Sequence, residues 1–491
     1  MKSFSLVAAI PGLLSLWLSS PALALDGEPY IHDPSTVIEC DGKYYTFGTG
    51  GGGLVSDDGW TWHSATRVQG PGAAPDLIHL GDRYYMAYAT SGGGLGGGHA
   101  SAIRVMWSKT LDPKSPDYGF QDNNIVASSD GIEDCDAIDP GFLLDPTTGR
   151  LWVTYGTYFG FIRIVELDPK TGHHLEGNKP VNIAIDCEAT DPIYRDGWYY
   201  LLGTHGTCCD GANSTYNIRV GRSKSVTGPY LDNLGNDMIK GGGKLVAAAS
   251  GRVAGLGHFG LMDLGDDVQK FSCHYEADLD RGGRSVLDIR PLLWKDGWPV
   301  AGDNFKEGTY EIQSERSGYA LEIAVDFVRM GGGRRGGGGG FGGGRGGGGG
   351  GPVTPVPFQE LAQVSTNWPT TNIDTRLGDY MFRPHQKWAV TAVTNGGGYL
   401  GSPYFKITIA GTDRALAASE DSEVVTVPAF TGAPEQLWRI DQLTDGTYRV
   451  MPKSAPNSKE PVALTTIGYS TLTLTKFDAK SDKGRWNFRS P

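Results

Sequence analysis

Five times between residues 26 and 280 the chain places an acid or a histidine a short step ahead of an aromatic strand. His32-Asp33-Pro34 precedes Lys43-Tyr44-Tyr45, Pro75-Asp76 precedes Arg83-Tyr84-Tyr85, and Ile138-Asp139-Pro140 precedes Leu151-Trp152-Val153. Glu188-Ala189 precedes Trp198-Tyr199-Tyr200, and Gly257-His258 precedes Phe271-Ser272. Short strand units repeated around a ring make a propeller, whose innermost strands surround an axis. The residue opening each innermost strand is then expected to face that axis, so five segments far apart in the chain deliver Asp33, Asp76, Asp139, Glu188 and His258 to one funnel.

The strands themselves are aromatic runs such as Tyr84-Tyr85-Met86-Ala87-Tyr88 and Tyr199-Tyr200-Leu201-Leu202, bounded by Asp-Gly and Gly-Asp turns. No long stretch past the N-terminal segment carries helical apolar periodicity, which makes the chain all-β. With 491 residues it is too long for one ordinary domain. A second unit starts near Lys306. Gly308-Thr309-Tyr310-Glu311-Ile312 is echoed by Gly446-Thr447-Tyr448-Arg449-Val450 and, more weakly, by Gly398-Tyr399-Leu400. Gln386-Lys387-Trp388 is echoed by Gln436-Leu437-Trp438 and by Gly484-Arg485-Trp486. Three repeats with a late Trp apiece point to a β-trefoil over residues 306–491, following a five-bladed β-propeller over 25–305. The trefoil is similar to the ricin-B-like family, whose repeats carry Gln-x-Trp. The third repeat lacks the Gln, and the motif also reads as core and turn architecture without a ligand. Residues 331–351 are nearly all glycine, a composition that loses too much backbone entropy to pack, and are expected to be a disordered insertion in the first repeat.

The N-terminus has the form of an export signal: Lys2, an apolar run over residues 6–18, and Ala22-Leu23-Ala24 as a cleavage site, so residues 1–24 are expected to be removed. The run is short and broken by Pro11, which disfavours a membrane anchor, and no later stretch could span a bilayer. A secreted or periplasmic protein is expected, as a monomer. The net charge of −12 argues against a nucleic-acid partner, since phosphate binding needs clustered Lys and Arg. Six cysteines, none in a Cys-x-x-Cys pair, disfavour a thiolate zinc site; adjacent Cys208-Cys209 either form a vicinal bond or remain thiols. The serines lack a Gly-x-Ser-x-Gly setting, which disfavours a serine hydrolase.

Several segments taken together resemble glycoside hydrolase family 43, in its arabinanase and arabinofuranosidase branch. They are Ile31-His32-Asp33-Pro34-Ser35, Ala137-Ile138-Asp139-Pro140, Cys187-Glu188-Ala189, Tyr194-Arg195-Asp196-Gly197-Trp198, Cys208-Cys209, Gly257-His258 and Asp296-Gly297-Trp298-Pro299. The likeness covers roughly residues 26–302. It implies a five-bladed propeller and inverting hydrolysis, with Asp33 as general base, Glu188 as general acid and Asp139 as the carboxylate that orients the acid and raises its pKa. Inversion requires the two carboxyls about 6.5–9.5 Å apart to admit a water. The likeness places a metal, usually calcium, near His258, held directly or through water; no other cofactor is implied. His32, Asp76, Trp107, Tyr158, Phe159 and His205 are the expected walls of the sugar pocket. Two departures stand out. Thr190-Asp191-Pro192 follows Ala189, making Asp191 a rival acid, and Gly72-Ala73 stands where the family has a Trp before Ala-Pro-Asp.

The expected activity is hydrolysis of α-L-arabinofuranosyl linkages in a polysaccharide or oligosaccharide. The same carboxylates serve galactofuranosidases and β-xylosidases, and a non-catalytic carbohydrate-binding protein is the alternative of a different class.

Overall fold

The computed structural model describes residues 25–68, 70, 72–90, 100–129, 134–325 and 368–491. The expected export signal and the Gly-rich tract lie outside them. Among the described residues there is no α-helix, only strands and single 3-10 turns. Among the described residues no helix is long and apolar enough to cross a membrane.

Five sheets follow one another along the chain, each of consecutive antiparallel strands. Blade I spans residues 38–65, blade II 73–128, blade III 141–184, blade IV 188–247 and blade V 254–301. From blade I through blade V the first strand of each blade packs against the first strand of the next, so these strands line the axis. Aromatic and β-branched side chains on alternating positions fill the spaces between blades, as in the cluster of Ile193, Tyr200, Leu202, Ile218, Val220, Phe259, Phe271 and Trp298 between blades IV and V. No blade is completed by a strand from the other end of the chain. The ring closes through the N-terminal segment: Asp26–Gly27 runs parallel to Thr61–Trp62 of blade I, and Tyr30 bridges Val286 of blade V.

The second unit is a ten-stranded barrel-like sheet with two hairpins. Its centre holds Trp388, Trp438 and Trp486, each fully buried. Their indole N–H groups donate to the carbonyls of Leu321, Leu416 and Leu464 at 2.8, 3.0 and 2.9 Å. Each Trp follows a 3-10 turn, Pro384–Gln386, Pro434–Gln436 or Asp482–Gly484. The Gln386 and Gln436 side chains accept from the backbone N–H of Met381 and Thr431 at 2.8 and 2.7 Å. The Gln of Gln-x-Trp is therefore a turn brace, and Gly484 omits that brace in the third repeat.

Candidate active site

Each innermost strand carries a left-handed residue within it or shortly before it: Asp33 (φ 52°), Ala74 (φ 41°), Asp139 (φ 53°), Ala189 (φ 47°) and His258 (φ 57°). None is Gly, and Asp and His adopt this conformation more readily than Ala does. The reversal turns the chain end toward the axis, and in blades II, IV and V it coincides with a bulge in the pairing to the second strand. Five equivalent backbone positions thus carry different side chains.

The strand ends surround a cavity of about 240 Å³ lined by His32, Asp33, Ala73, Asp139, Tyr158, Phe159, Glu188, Tyr216 and His258, with Thr49, Ile138, Thr157 and Cys208-Cys209 completing the wall. Six of the expected site residues meet their partners here: Asp33, Asp139, Glu188, His32, Tyr158 and Phe159, with His258 beside them. Ala73 stands where the family pattern has a Trp, leaving that side of the wall without an aromatic face.

Three of the expected wall residues, Asp76, Trp107 and His205, lie outside this lining. Asp76 does not line this cavity. It sits two residues beyond the left-handed Ala74, and its carboxylate accepts the N–H groups of Thr36 at the entry to blade I and Phe142 in blade III at 3.1 and 2.9 Å. It stitches three blades together; the blade II residue equivalent to Asp33 is Ala74. Asp191, two residues past Ala189, does the same for Leu261 of blade V at 3.3 Å, so the rival acid faces away from the cavity. Trp107 pairs with Tyr85 near the far turn of blade II, its ring under the Arg83 guanidinium at 3.9 Å. His205 lies at the cavity end of blade IV, paired with Asn217, but its buried ring is not part of the wall. Burial, then the Arg219 charge, lowers its pKa to about 4.

The three carboxyls are all buried and are treated differently. Burial alone would raise the Asp33 pKa, but His258, His32 and His274 and the Thr49 hydroxyl outweigh it, and the group lies below the usual carboxylate range. Thr49 donates to Asp33 Oδ2 at 2.6 Å while accepting the N–H of Ala74 at 2.9 Å, so its single proton points at the carboxylate. Burial pushes His274 down to about 3 and lowers His258 as well. Burial thus favours the neutral form of both rings, and the Thr49 hydroxyl bond is the one of these contacts with Asp33 that does not depend on ring protonation. The backbone N–H of Asp33 donates to His274 Nδ1 at 3.2 Å, which fixes the tautomer with that nitrogen bare.

Glu188 is raised to about 8, by burial first and by the Asp33 charge, against a hydrogen bond from the Tyr216 hydroxyl that favours its ionised form. Tyr216 is itself held far above its usual range by burial and then by the Glu188 charge, so it stays a donor. Asp139 is pushed well up by burial, then Glu188, then Asp33. The set can hold one carboxylate ionised and a second protonated at neutral pH, on separate blades around a water-accessible space.

The His258 ring lies between two acids, Nδ1 3.1 Å from Asp33 Oδ1 and Nε2 3.9 Å from Asp139 Oδ2. Both ring nitrogens and Asp33 Oδ1 are buried without a hydrogen bond of good geometry. Calcium takes six to eight oxygen ligands, and the ring lies beside two carboxylates. The donor set therefore fits an ion completed by water and not a cage built from protein.

Thr49 and Tyr216 were not legible in the sequence: one Thr before a Gly-rich turn and one Tyr among 22 carry no local signal. Cys208 and Cys209 are joined as a vicinal disulfide, each sulfur 3.9 Å from His32 Nε2. Cys40, Cys135, Cys187 and Cys273 are buried.

A propeller whose axis gathers three buried carboxyls of unequal basicity is the architecture of a glycosidase. Residues 54–299 match glycosyl hydrolases family 43, and residues 384–459 match the ricin-type β-trefoil lectin domain-like family. An extracellular exo-α-(1→5)-L-arabinofuranosidase of Cellvibrio japonicus is 32% identical over 324 residues, 58% of this chain and 91% of that protein. An extracellular endo-α-(1→5)-L-arabinanase of Bacillus subtilis is 30% identical over 322 residues, 60% of this chain and 92% of its own. Among solved structures, an exo-1,5-α-L-arabinanase from a bovine ruminal metagenomic library superposes with TM-score 0.52 at 34% identity, over 58% of this chain and all (100%) of that one. The Cellvibrio cellulosa α-L-arabinanase complexed with arabinohexaose gives 0.51 at 29% identity, over 56% and 95%. The chain belongs to glycoside hydrolase family 43, and it is a glycosidase.

Proposed function

We propose that this glycosidase hydrolyses α-L-arabinofuranosyl linkages of arabinan-type glycans outside the cytoplasm, by single displacement with inversion. Asp33 takes a proton from water, whose oxygen bonds to the anomeric carbon as the glycosidic bond breaks on the opposite face. Glu188 gives its proton to the leaving oxygen. Burial and the Asp33 charge keep Glu188 protonated until that moment, and Asp139 beside it orients the acid. Tyr216 orients the acid and Thr49 the base. Tyr158 and Phe159, whose ring centroids lie 4.6 Å apart with planes tilted by 53°, and the Cys208-Cys209 edge offer apolar faces to the sugar. An ion near His258, when bound, supplies fixed positive charge beside the acids.

The observation that carries this reading is the unequal treatment of two carboxyls in one cavity: Asp33 is held ionised and Glu188 is held protonated up to about pH 8. The arabinan preference leans on the arabinan-active relatives, and extracellular action on their extracellular character and the export-type N-terminus. The test is proton NMR of the first product formed from linear α-1,5-arabinan, with nitrophenyl galactofuranoside and xyloside run in parallel. The β-anomer of arabinose or of an arabino-oligosaccharide is expected. First release of the α-anomer rejects inversion, and turnover only of the galactofuranoside or xyloside rejects the substrate.

A further inference from the structure

The trefoil does more than adjoin the propeller. It is fixed to blade V through Thr444, which exchanges backbone bonds with Trp294 and Asp267 at 2.8 Å each, and through the ion pair of Arg485 with Asp267. A packed layer of Val268 with Leu443, Met451, Ala463 and Phe477 backs these contacts. From that base one hairpin, Gly398–Tyr399 paired with Ser402–Pro403, reaches across to blade I. Asp58 of blade I accepts the N–H of Gly398 with its carboxylate and that of Leu400 with its carbonyl, both at 2.9 Å, and Gly59 accepts that of Gly401 at 3.0 Å. Lys270 of blade V donates to the Leu400 carbonyl. A Cβ on Gly401 would stand 2.5 Å from the Ile289 carbonyl of blade V, so only glycine permits this approach.

Leu400 at the hairpin tip is 1% exposed. It completes a core cluster with Ile31 and Val37 from the entry to blade I, Leu54, Trp60 and Trp62 from blade I, and Met262, Leu287 and Ile289 from blade V. This is the seam at which the ring closes without a shared strand. The contacts that hold Asp33 cross the same seam. Its N–H bonds His274, His274 is paired with Leu287, and His32 meets Ser285 at 2.9 Å. Ile31 and Leu287, both in the Leu400 cluster, make the backbone bonds Ile31 to Ser285 and Leu287 to Pro29 that close the ring, at 3.2 and 2.7 Å.

We propose that Leu400 is a positioning residue for the Asp33 carboxylate: it wedges the trefoil into the blade I–blade V seam, so that the second domain sets the geometry of the first domain's base. The proposal rests on the reading of Asp33 as the general base. A small displacement of a reacting group costs rate more than binding, so Leu400→Ala in the full chain is expected to lower kcat about tenfold with KM changed by less than about twofold. Hydrogen exchange at Ile31, Asp33 and Leu287 should quicken about tenfold while blade III amides stay protected. Leu400→Met, close in volume, should restore both. Leu474→Ala, in the trefoil core away from the hairpin, should lower the thermal midpoint without touching seam exchange or kcat. Should Leu400→Ala not fold, Asp58→Asn weakens the Gly398 tie and is expected to give the same pattern at smaller amplitude. Unchanged seam exchange, exchange raised equally in all blades, or an opened seam with unchanged kcat overturns the proposal. Retained activity in Asp33→Asn sinks the base assignment alone and leaves the seam measurement standing.

Discussion

The trefoil and the propeller are both built by repetition and use it in opposite ways. In the trefoil the repeated position stays the same: three buried indoles each bond one Leu carbonyl, and the repeats pool their apolar area into one core. In the propeller the repeated position is a backbone conformation, and the side chains on it are Asp, Ala, Asp, Ala and His. Where side chains are shared the repeat serves stability. Where the backbone is shared and side chains diverge, it presents chemistry to a common axis.

The sharpest way to break this contrast is at the acids the repeated conformation presents, Asp33 on a repeated position and Glu188 one residue before the left-handed Ala189. Asp33→Asn and Glu188→Gln are expected to lower kcat by about 10²–10⁴-fold, the range for a general acid or base, with thermal midpoints barely changed. The measurement is arabinan hydrolysis alongside calorimetry, and a large stability loss would make these residues structural. The converse is Trp438→Ala. Emptying a fully buried indole site should cost about 3–5 kcal/mol in the trefoil, read by denaturant unfolding.

The pH profile sharpens the division of labour between the acids. In the proposed mechanism activity needs Asp33 ionised and Glu188 protonated. The rate should therefore fall as pH drops through the lowered Asp33 pKa, and fall again as pH rises through about 8. Tyr216→Phe removes a bond that favours ionised Glu188, so the Glu188 pKa rises and the alkaline limb moves to higher pH. A limb that stays in place or moves down contradicts the Tyr216 role. The smallest effect is expected at Ala74, a left-handed residue without a polar side chain. Ala74→Gly relieves a conformation that costs an L-residue about 1–2 kcal/mol and gives part of that back as unfolded-state entropy, so a gain below about 1 kcal/mol is expected, read by thermal midpoint with activity unaltered.

Much of the fold was legible because strands announce themselves locally. Aromatic runs between Asp-Gly turns marked the blades, and the Trp spacing marked the trefoil. Asp33, Asp139 and Glu188 were legible because each sits in a motif at the start of a strand. Asp76 looked equivalent from its neighbours, yet two residues of offset past the left-handed Ala74 turn it from the cavity to the blade junctions. Asp191 follows the same rule in blade IV.

The sequence by itself determined the period of both domains, the all-β class and the acids that open blades I, III and IV, since these depend on residue type and short-range spacing. Only the tertiary structure decided which groups tune those acids. Thr49, Tyr216 and His274 reach them from other strands, and Leu400 reaches the ring seam from another domain. Basicity inside a protein is set by burial and by whatever charge or hydrogen bond lies within a few ångströms, and the chain order does not encode which distant residue that will be.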